Sequence, residues 1–263
     1  MPDRQPTWAQ YWADVYDQLE TQTDDVALLR GLLDGLGHLR ILEPFCGNGR
    51  MYIPLAADGH EIVGIDVSDE MLASGRAKLA KSPTELRERV TLLLADATAG
   101  GWPTGFDLVI LGANCFYELP TAEAQRGCIQ SAHNALKPGG WLYLDNNHME
   151  GDLDPAWCRV GETSVRPSVT CPDGSLFSET VTTIWVDRPN RIWRADRVAE
   201  LRLVSGDVLR HAYTQQKHPP STGEMREWLE EQDFSILGCW GDRKQSPCTD
   251  QSGRAIFWAQ HRP

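Results

Sequence analysis

Apolar positions change their period along this chain, and the changes divide it. Between residues 7 and 37 they recur every three or four: Trp8, Tyr11, Trp12, Val15, Tyr16 and Leu19, then Val26, Leu28, Leu29, Leu32 and Leu33. That spacing predicts two amphipathic helices, the second opened by Asp24-Asp25 and closed by Gly35 and Gly37. From residue 41 short apolar runs alternate with helical patterns. The runs at 41–44, 62–66, 92–95, 106–111 and 141–145 read as strands. Residues 50–58, a stretch beginning at the N-cap candidate Ser68, and 121–136 read as helices. Strand-helix alternation of this kind predicts a parallel sheet with helices on both faces.

The pattern then breaks. Residues 159–217 lose the helical period and carry β-rich runs at 178–186, 192–203 and 208–216, separated by Asp187-Arg188-Pro189-Asn190 and Ser205-Gly206-Asp207. This predicts an antiparallel meander. A helix at 222–232, capped by Ser221 or Thr222, and strands at 234–240 and 255–260 follow. The expected organisation is an N-terminal helical lid over 1–40, an α/β domain made of 41–150 and 221–263, and an antiparallel β-cap over 151–220.

Composition narrows the function. Lys and Arg number 25 against 37 Asp and Glu, a net charge of −12. A phosphate polyanion meets net repulsion from such a chain, so a small molecule is the expected partner and nucleic acid is not. The seven cysteines form no Cys-x-x-Cys and no zinc-type spacing with histidine, which predicts reduced thiols and no metal. Met1-Pro2-Asp3-Arg4-Gln5 has no apolar leader, and no stretch nears the ~20 apolar residues of a membrane span. A cytoplasmic protein, monomeric or homodimeric, without a membrane partner, is expected.

The chemistry concentrates in Ile41-Leu42-Glu43-Pro44-Phe45-Cys46-Gly47-Asn48-Gly49-Arg50 and in Ile62-Val63-Gly64-Ile65-Asp66. A strand runs into an acid, a Gly-x-Gly turn and a helix. A second strand ends on another acid, 17 residues after Gly49. Such βαβ units cradle nucleotides, the glycines admitting the ligand and the later carboxylate taking ribose hydroxyls. The dinucleotide form needs a third glycine where this chain has Tyr52, and Glu43 at the mouth repels a pyrophosphate. A cationic adenosine ligand without phosphates, S-adenosylmethionine, fits better.

The run 42–50, with Gly64-Ile65-Asp66-Val67-Ser68-Asp69-Glu70-Met71-Leu72, resembles the class I S-adenosylmethionine-dependent methyltransferases. The usual opening there is acid-x-Gly-x-Gly-x-Gly; this chain matches at Glu43, Gly47 and Gly49 and carries Phe45 where the first glycine usually sits. Leu92-Leu93-Leu94-Ala95-Asp96-Ala97, Phe106-Asp107-Leu108-Val109-Ile110-Leu111 and Leu136-Lys137-Pro138-Gly139-Gly140-Trp141-Leu142 resemble later landmarks of that family. The resemblance implies a doubly wound, Rossmann-like, seven-stranded sheet whose last two strands form an edge hairpin. It also implies a β-cap of the kind found in glycine and amino-sugar N-methyltransferases. Glu43 then faces the ammonium of the methionine moiety, Asp66 the ribose and Asp96 the adenine amino group. Val67 and Met71 flank the adenine, and Tyr16 reads either as an aromatic lid or as amphipathic-helix packing. Cys46, Gly47, Asn48, Gly49, Ala97 and Asn114 complete the expected cofactor set.

Several assignments stay double. Asp96 also reads as a helix cap, and Met71 as helix packing. Arg50 reads either as a ligand of the cofactor carboxylate or as a solvent-exposed first-turn arginine. For catalysis the candidates are Tyr117, Asn147 and His148, with Asn114, Glu118 and Asn146 nearby in sequence; His148 reads either as a base that takes a proton from an ammonium or as a structural loop histidine, and Tyr117 either as steering an amine lone pair or as a packed tyrosine. Trp185 and Trp193 read either as an aromatic wall for a cation or as packing. Methyl transfer to nitrogen or oxygen of a small molecule is the expected activity. The alternative is a cyclase or lyase that releases methylthioadenosine on the same fold.

Overall fold

The computed structural model describes residues 8–262, so the Met1–Gln5 reading lies outside the described residues. The chain divides into two compact units. The larger comprises Gln22–Gly151 and the chain from His218 onward, and the smaller comprises the segment up to Thr21 with Asp152–Lys217.

The larger unit is built on seven strands: β1 (Arg40–Pro44), β2 (Glu61–Asp66), β3 (Val90–Leu94), β4 (Phe106–Leu111), β5 (Leu136–Asn147), β11 (Phe234–Trp240) and β12 (Arg254–His261). Their order is β11-β12-β5-β4-β1-β2-β3. β5, β4, β1, β2 and β3 run parallel, and β12 and β11 form an antiparallel hairpin at the edge beside β5. The chain moves from β1 outward to β2 and β3, then returns to place β4 on the other side of β1. Ligands of open α/β sheets bind beyond the strand ends at this reversal.

Successive residues of a strand point to opposite faces, and the core obeys that rule. Leu42, Val109, Leu111, Leu142 and Leu144 pack with α6 (Ala122–Ala135) and α7 (Thr222–Glu231). Ile41, Leu108, Ile110 and Tyr143 pack instead with α2 (Asp24–Leu33), α3 (Tyr52–Ala57) and α4 (Asp69–Ala80). Burial on both faces is why these strands read as unbroken apolar runs. Caps fix the helix starts: Ser68 accepts from Met71 N–H, and Ser221 with Glu224 forms a reciprocal capping box, so Ser221 is the cap of α7. The short α5 (Thr84–Glu88) is an addition that the apolar pattern does not announce.

The smaller unit holds α1 (Trp8–Leu19), β6 (Thr163–Val165), β7 (Val169–Thr170), β8 (Leu176–Asp187), β9 (Ile192–Arg202) and β10 (Val208–Lys217). The long strands order as β10-β9-β8-β6, all antiparallel, with β7 also on β8. Trp193, Ala195, Arg197, Ala199 and Leu201 alternate inward along β9. On α1, Trp8 stacks 5.4 Å from His211 of β10, and Trp12 lies 5.9 Å from Phe177 of β8.

Candidate active site

Seven residues, 45–51, form the turn between β1 and α3. Phe45 has φ +59°, so it holds the left-handed conformation that a glycine would take more readily. Cys46 N–H donates to Ile65 O at 3.0 Å, and the Phe45 ring packs half-buried against the core, which together hold the strained residue. Gly47 has φ +56° and Gly49 φ +100°. A side chain on Gly49 would meet Ile53 Cδ1 at 2.5 Å and Tyr52 Cζ at 2.8 Å, so this glycine lets the turn close onto α3. Cys46 is buried where Gly64 of β2 leaves room, a Cβ there falling 2.7 Å from Sγ, and burial pushes its thiol pKa up.

Asp66, at the end of β2, ties the turn together. One oxygen accepts Gly47 N–H at 2.7 Å and the other accepts Ser68 N–H at 2.9 Å. Glu43, at the end of β1, is 5% exposed, and its Oε2 has no hydrogen-bond partner among the described residues. Burial pushes its pKa up from 4.5 to about 8; Arg50 opposes that rise, while Asp25 and Asp66 add to it. A buried carboxyl with an unused oxygen at a sheet's switch point is poised for a cation. Asn48 is buried, Val67 is 71% exposed, and Met71 lies half-buried with its Cε 3.3 Å from where a Gly47 side chain would begin.

Asp96 caps a 3₁₀ turn, Ala97–Ala99, with Oδ1 accepting both Thr98 N–H at 2.8 Å and Thr98 Oγ1–H at 2.6 Å. Those bonds, the side-chain one first, lower its pKa. The capping reading is therefore realised, and the carboxylate stays exposed with Oδ2 outside both bonds. Ala97 is buried beside it in sequence. Tyr16 lies half-buried on α1, in the smaller unit.

Beyond β4, Ala113 and Asn114 both have positive φ, +54° and +65°. Asn114 Oδ1 accepts Asn147 N–H at 2.7 Å and Arg254 Nη2–H at 3.3 Å, and its own N–H donates to Asp145 O at 3.2 Å. Asn147 Oδ1 accepts from Arg254 Nη1 at 3.0 Å. These two asparagines therefore lock the ends of β4 and β5 together. Tyr117 is buried, and so is Asn146, whose Oδ1 has no partner among the described residues. His148 is 8% exposed, with neither ring nitrogen hydrogen-bonded among the described residues and Glu150 Oε2 at 3.8 Å from Nε2. Burial lowers its pKa despite the opposing pull of Glu150 and Asp250. It is neutral at pH 7 and able to accept a proton.

Sequence reasoning missed the frame around this site. Arg50 is not the solvent-exposed arginine of the second reading: its side chain is 13% exposed, its Nη1 and Nη2 donate to Asp25 at 2.9 and 2.6 Å, and Asp25 is fully buried at the start of α2. Arg243 donates to Asp24 at 2.6 Å and to Asp145 at 2.9 Å, and Arg254 donates to the other oxygen of Asp145. An arginine-carboxylate chain thus runs from the glycine turn through α2 to the end of β5. One signal was present: Leu142-Tyr143-Leu144-Asp145 is an apolar strand ending on an acid, as at Glu43 and Asp66. Of the cap tryptophans, Trp185 is 45% exposed, and Trp193 is buried and lines a cavity together with Arg197 and Lys217.

A switch point flanked by two strand-end acids and a glycine turn defines a nucleoside-binding α/β domain. Residues 41–140 match the family model of a methyltransferase domain. Rat (Rattus norvegicus) glycine N-methyltransferase is 30% identical over 136 residues, 47% of this chain and 45% of that enzyme. The chain spans about half the length of the first curated relatives it matches. Over the whole fold, an S-adenosylmethionine-dependent methyltransferase from Clostridium acetobutylicum superposes with a TM-score of 0.77 at 13% identity, covering 96% of this chain and 98% of that one. An amino pentose methyltransferase from Micromonospora echinaspora, solved with S-adenosylmethionine, does so with 0.67 at 16%, covering 98% and 99%.

Proposed function

We propose that this protein transfers a methyl group from S-adenosylmethionine to a nitrogen or oxygen of a small molecule. The observation that carries the reading is Glu43, a buried carboxyl with an unpartnered oxygen beside the Gly47 turn that Asp66 pins. That arrangement suits the ammonium of an amino-acid moiety next to a ribose. In this reading Glu43 holds the ammonium, Asp66 the ribose hydroxyls and Asp96 the adenine amino group. Val67, Met71 and Ala97 wall the base. Cys46, Gly47, Asn48, Gly49 and Asn114 shape the remaining contacts.

When bound, S-adenosylmethionine supplies a methyl carbon activated by its sulfonium. The chain's own residues then align an acceptor and exclude water. His148, buried and neutral, takes the proton of a protonated acceptor. Tyr117 directs the acceptor lone pair, and Asn147, held by Asn114 and Arg254, keeps the β4 and β5 ends in register. The net charge of −12 favours a small molecule over nucleic acid, and in this reading the protein works in the cytoplasm as a monomer or homodimer. Among the described residues no helix is long and apolar enough to cross a membrane. No observation favours the cyclase or lyase reading.

The test is calorimetric binding of S-adenosylmethionine to Asp66→Ala. Loss of its hydrogen bonds to the ligand should weaken affinity by roughly 1–3 kcal/mol. Unchanged affinity in a folded variant would remove Asp66 from the site.

A further inference from the structure

β11 is the outermost strand of the larger unit's sheet, and beyond its end the chain folds back on it before β12 begins. Trp240 of β11 makes an antiparallel bridge with Pro247, and Gly241 N–H donates to Ser246 O at 2.8 Å. In antiparallel pairing the residue before one partner faces the residue after the other, so the adjoining pair is Cys239 and Cys248. Opposed residues have Cα atoms about 4.5–5.5 Å apart, within the ~4.4–6.8 Å that a disulfide spans.

The side chains agree with that register. Both cysteines are free thiols, half-buried against the same apolar cluster, which includes Met225 of α7. Cys248 Sγ lies 3.9 Å from Thr222 Oγ1 at the start of α7 and donates to Arg254 O at 3.6 Å. Burial pushes the Cys239 thiol up to about 11, with Cys248 adding to the rise and Arg226 opposing it. Cys239 is therefore a poor first nucleophile. Cys248 sits between Pro247 and Thr249, both exposed, where a reagent can reach it.

The segment between the two thiols delivers Arg243 to the ion chain. Asp242 Oδ1 accepts Lys244 N–H at 2.8 Å and Ser246 N–H at 3.0 Å, which folds the loop. Arg243, its side chain 14% exposed, then donates to Asp24 at 2.6 Å and to Asp145 at 2.9 Å. A bond between residues 239 and 248 closes a ring around Arg243 and holds its loop against β11.

We propose that Cys239 and Cys248 are a modification site, a thiol pair that a low-molecular-weight disulfide converts reversibly to an intrachain disulfide, stapling the Arg243 loop. The Cys248 thiolate attacks one sulfur of the reagent, forming a mixed disulfide and releasing one small thiol. Cys239 gives up its proton, attacks Cys248 Sγ and displaces the second small thiol. The reagent is reduced to two thiols, and the protein loses the two thiol hydrogens. The assignment rests on the larger unit alone and is independent of methyl transfer.

The experiment treats the reduced full chain with excess glutathione disulfide, alkylates the remaining thiols and maps the tryptic digest by mass spectrometry. Cleavage after Arg243 and Lys244 places the cysteines on separate peptides, 227–243 and 245–254. Those peptides should appear joined, with two fewer thiols alkylated, and dithiothreitol should restore both. The cross-linked chain should melt roughly 5 °C above the reduced one. Cys239→Ala should stop at a glutathione adduct on Cys248, and Cys248→Ala should give neither product. A cross-link between other cysteines, an adduct on Cys248 that never resolves in the wild type, no reaction within 245–254, or joined peptides without a rise in melting temperature would overturn the assignment. Turnover of S-adenosylmethionine enters none of these readouts, so the two readings fail separately.

Discussion

If Glu43 receives the ammonium of the cofactor, binding must release a proton. The free carboxyl has a pKa raised to about 8 by burial, so at pH 7 about 0.9 of the molecules carry it protonated. Pairing with an ammonium requires the carboxylate. A ligand α-amino group of pKa near 8 is already mostly charged at pH 7 and takes up only about 0.1 proton. The net expectation is release of about 0.8 proton per ligand at pH 7. Adenosylhomocysteine has the same amino-acid end and does not react, so it is the probe. Calorimetry in buffers of different ionisation enthalpy counts the protons directly. Affinity should rise about threefold between pH 7 and 8 as Glu43 ionises, then fall at higher pH as the ligand amine loses its charge. In Glu43→Gln the release should vanish, with affinity at pH 8 weakened by roughly 1.5–3 kcal/mol. A buffer-independent enthalpy in the wild type, or the same release in the variant, would refute the reasoning.

Glu43 is raised from 4.5 to about 8, so its contribution to stability is fully present below pH 4.5 and is lost as pH rises through 8. Thermal melts should show the wild type losing up to about 5 kcal/mol relative to Glu43→Gln across that window, and parallel pH profiles would contradict it. Asp145→Asn leaves Arg243 and Arg254 without their shared, fully buried carboxylate, and should destabilise by about 3–5 kcal/mol in urea melts. A loss below about 1 kcal/mol would mean the ion chain is not cooperative. Phe45→Gly and Phe45→Ala lose the same ring, but only glycine relaxes the φ of +59°; the glycine variant should be the more stable by about 1 kcal/mol, and the reverse order would deny the strain.

The sheet was legible because its inner strands β1, β2 and β4 are buried on both faces and the chain there is punctuated by glycine and acid. The 106–111 strand agrees with the run that predicted it, and the meander strands agree within two residues. Thr84–Glu88 was not legible, since a five-residue helix with one leucine has no apolar face to betray it. The fifth strand was read too short because Lys137-Pro138-Gly139-Gly140 carries turn residues, yet Leu136 already pairs with Phe106. Glu43, Asp66 and the glycines stood out through local spacing. The Asp25, Asp145, Arg243 and Arg254 chain did not, because its partners lie as much as 219 residues apart and no period connects them. The chemistry of Phe45 was hidden for another reason: side-chain identity argues against a left-handed turn, and only tertiary packing overrides it.

The most direct test of the central claim is mass spectrometry of the purified protein incubated with S-adenosylmethionine, with and without a cell-extract metabolite pool. The account predicts adenosylhomocysteine only when extract is present, together with one metabolite heavier by a single methyl substitution. Methylthioadenosine formed without extract, above the uncatalysed background, would make S-adenosylmethionine itself the substrate and contradict methyl transfer.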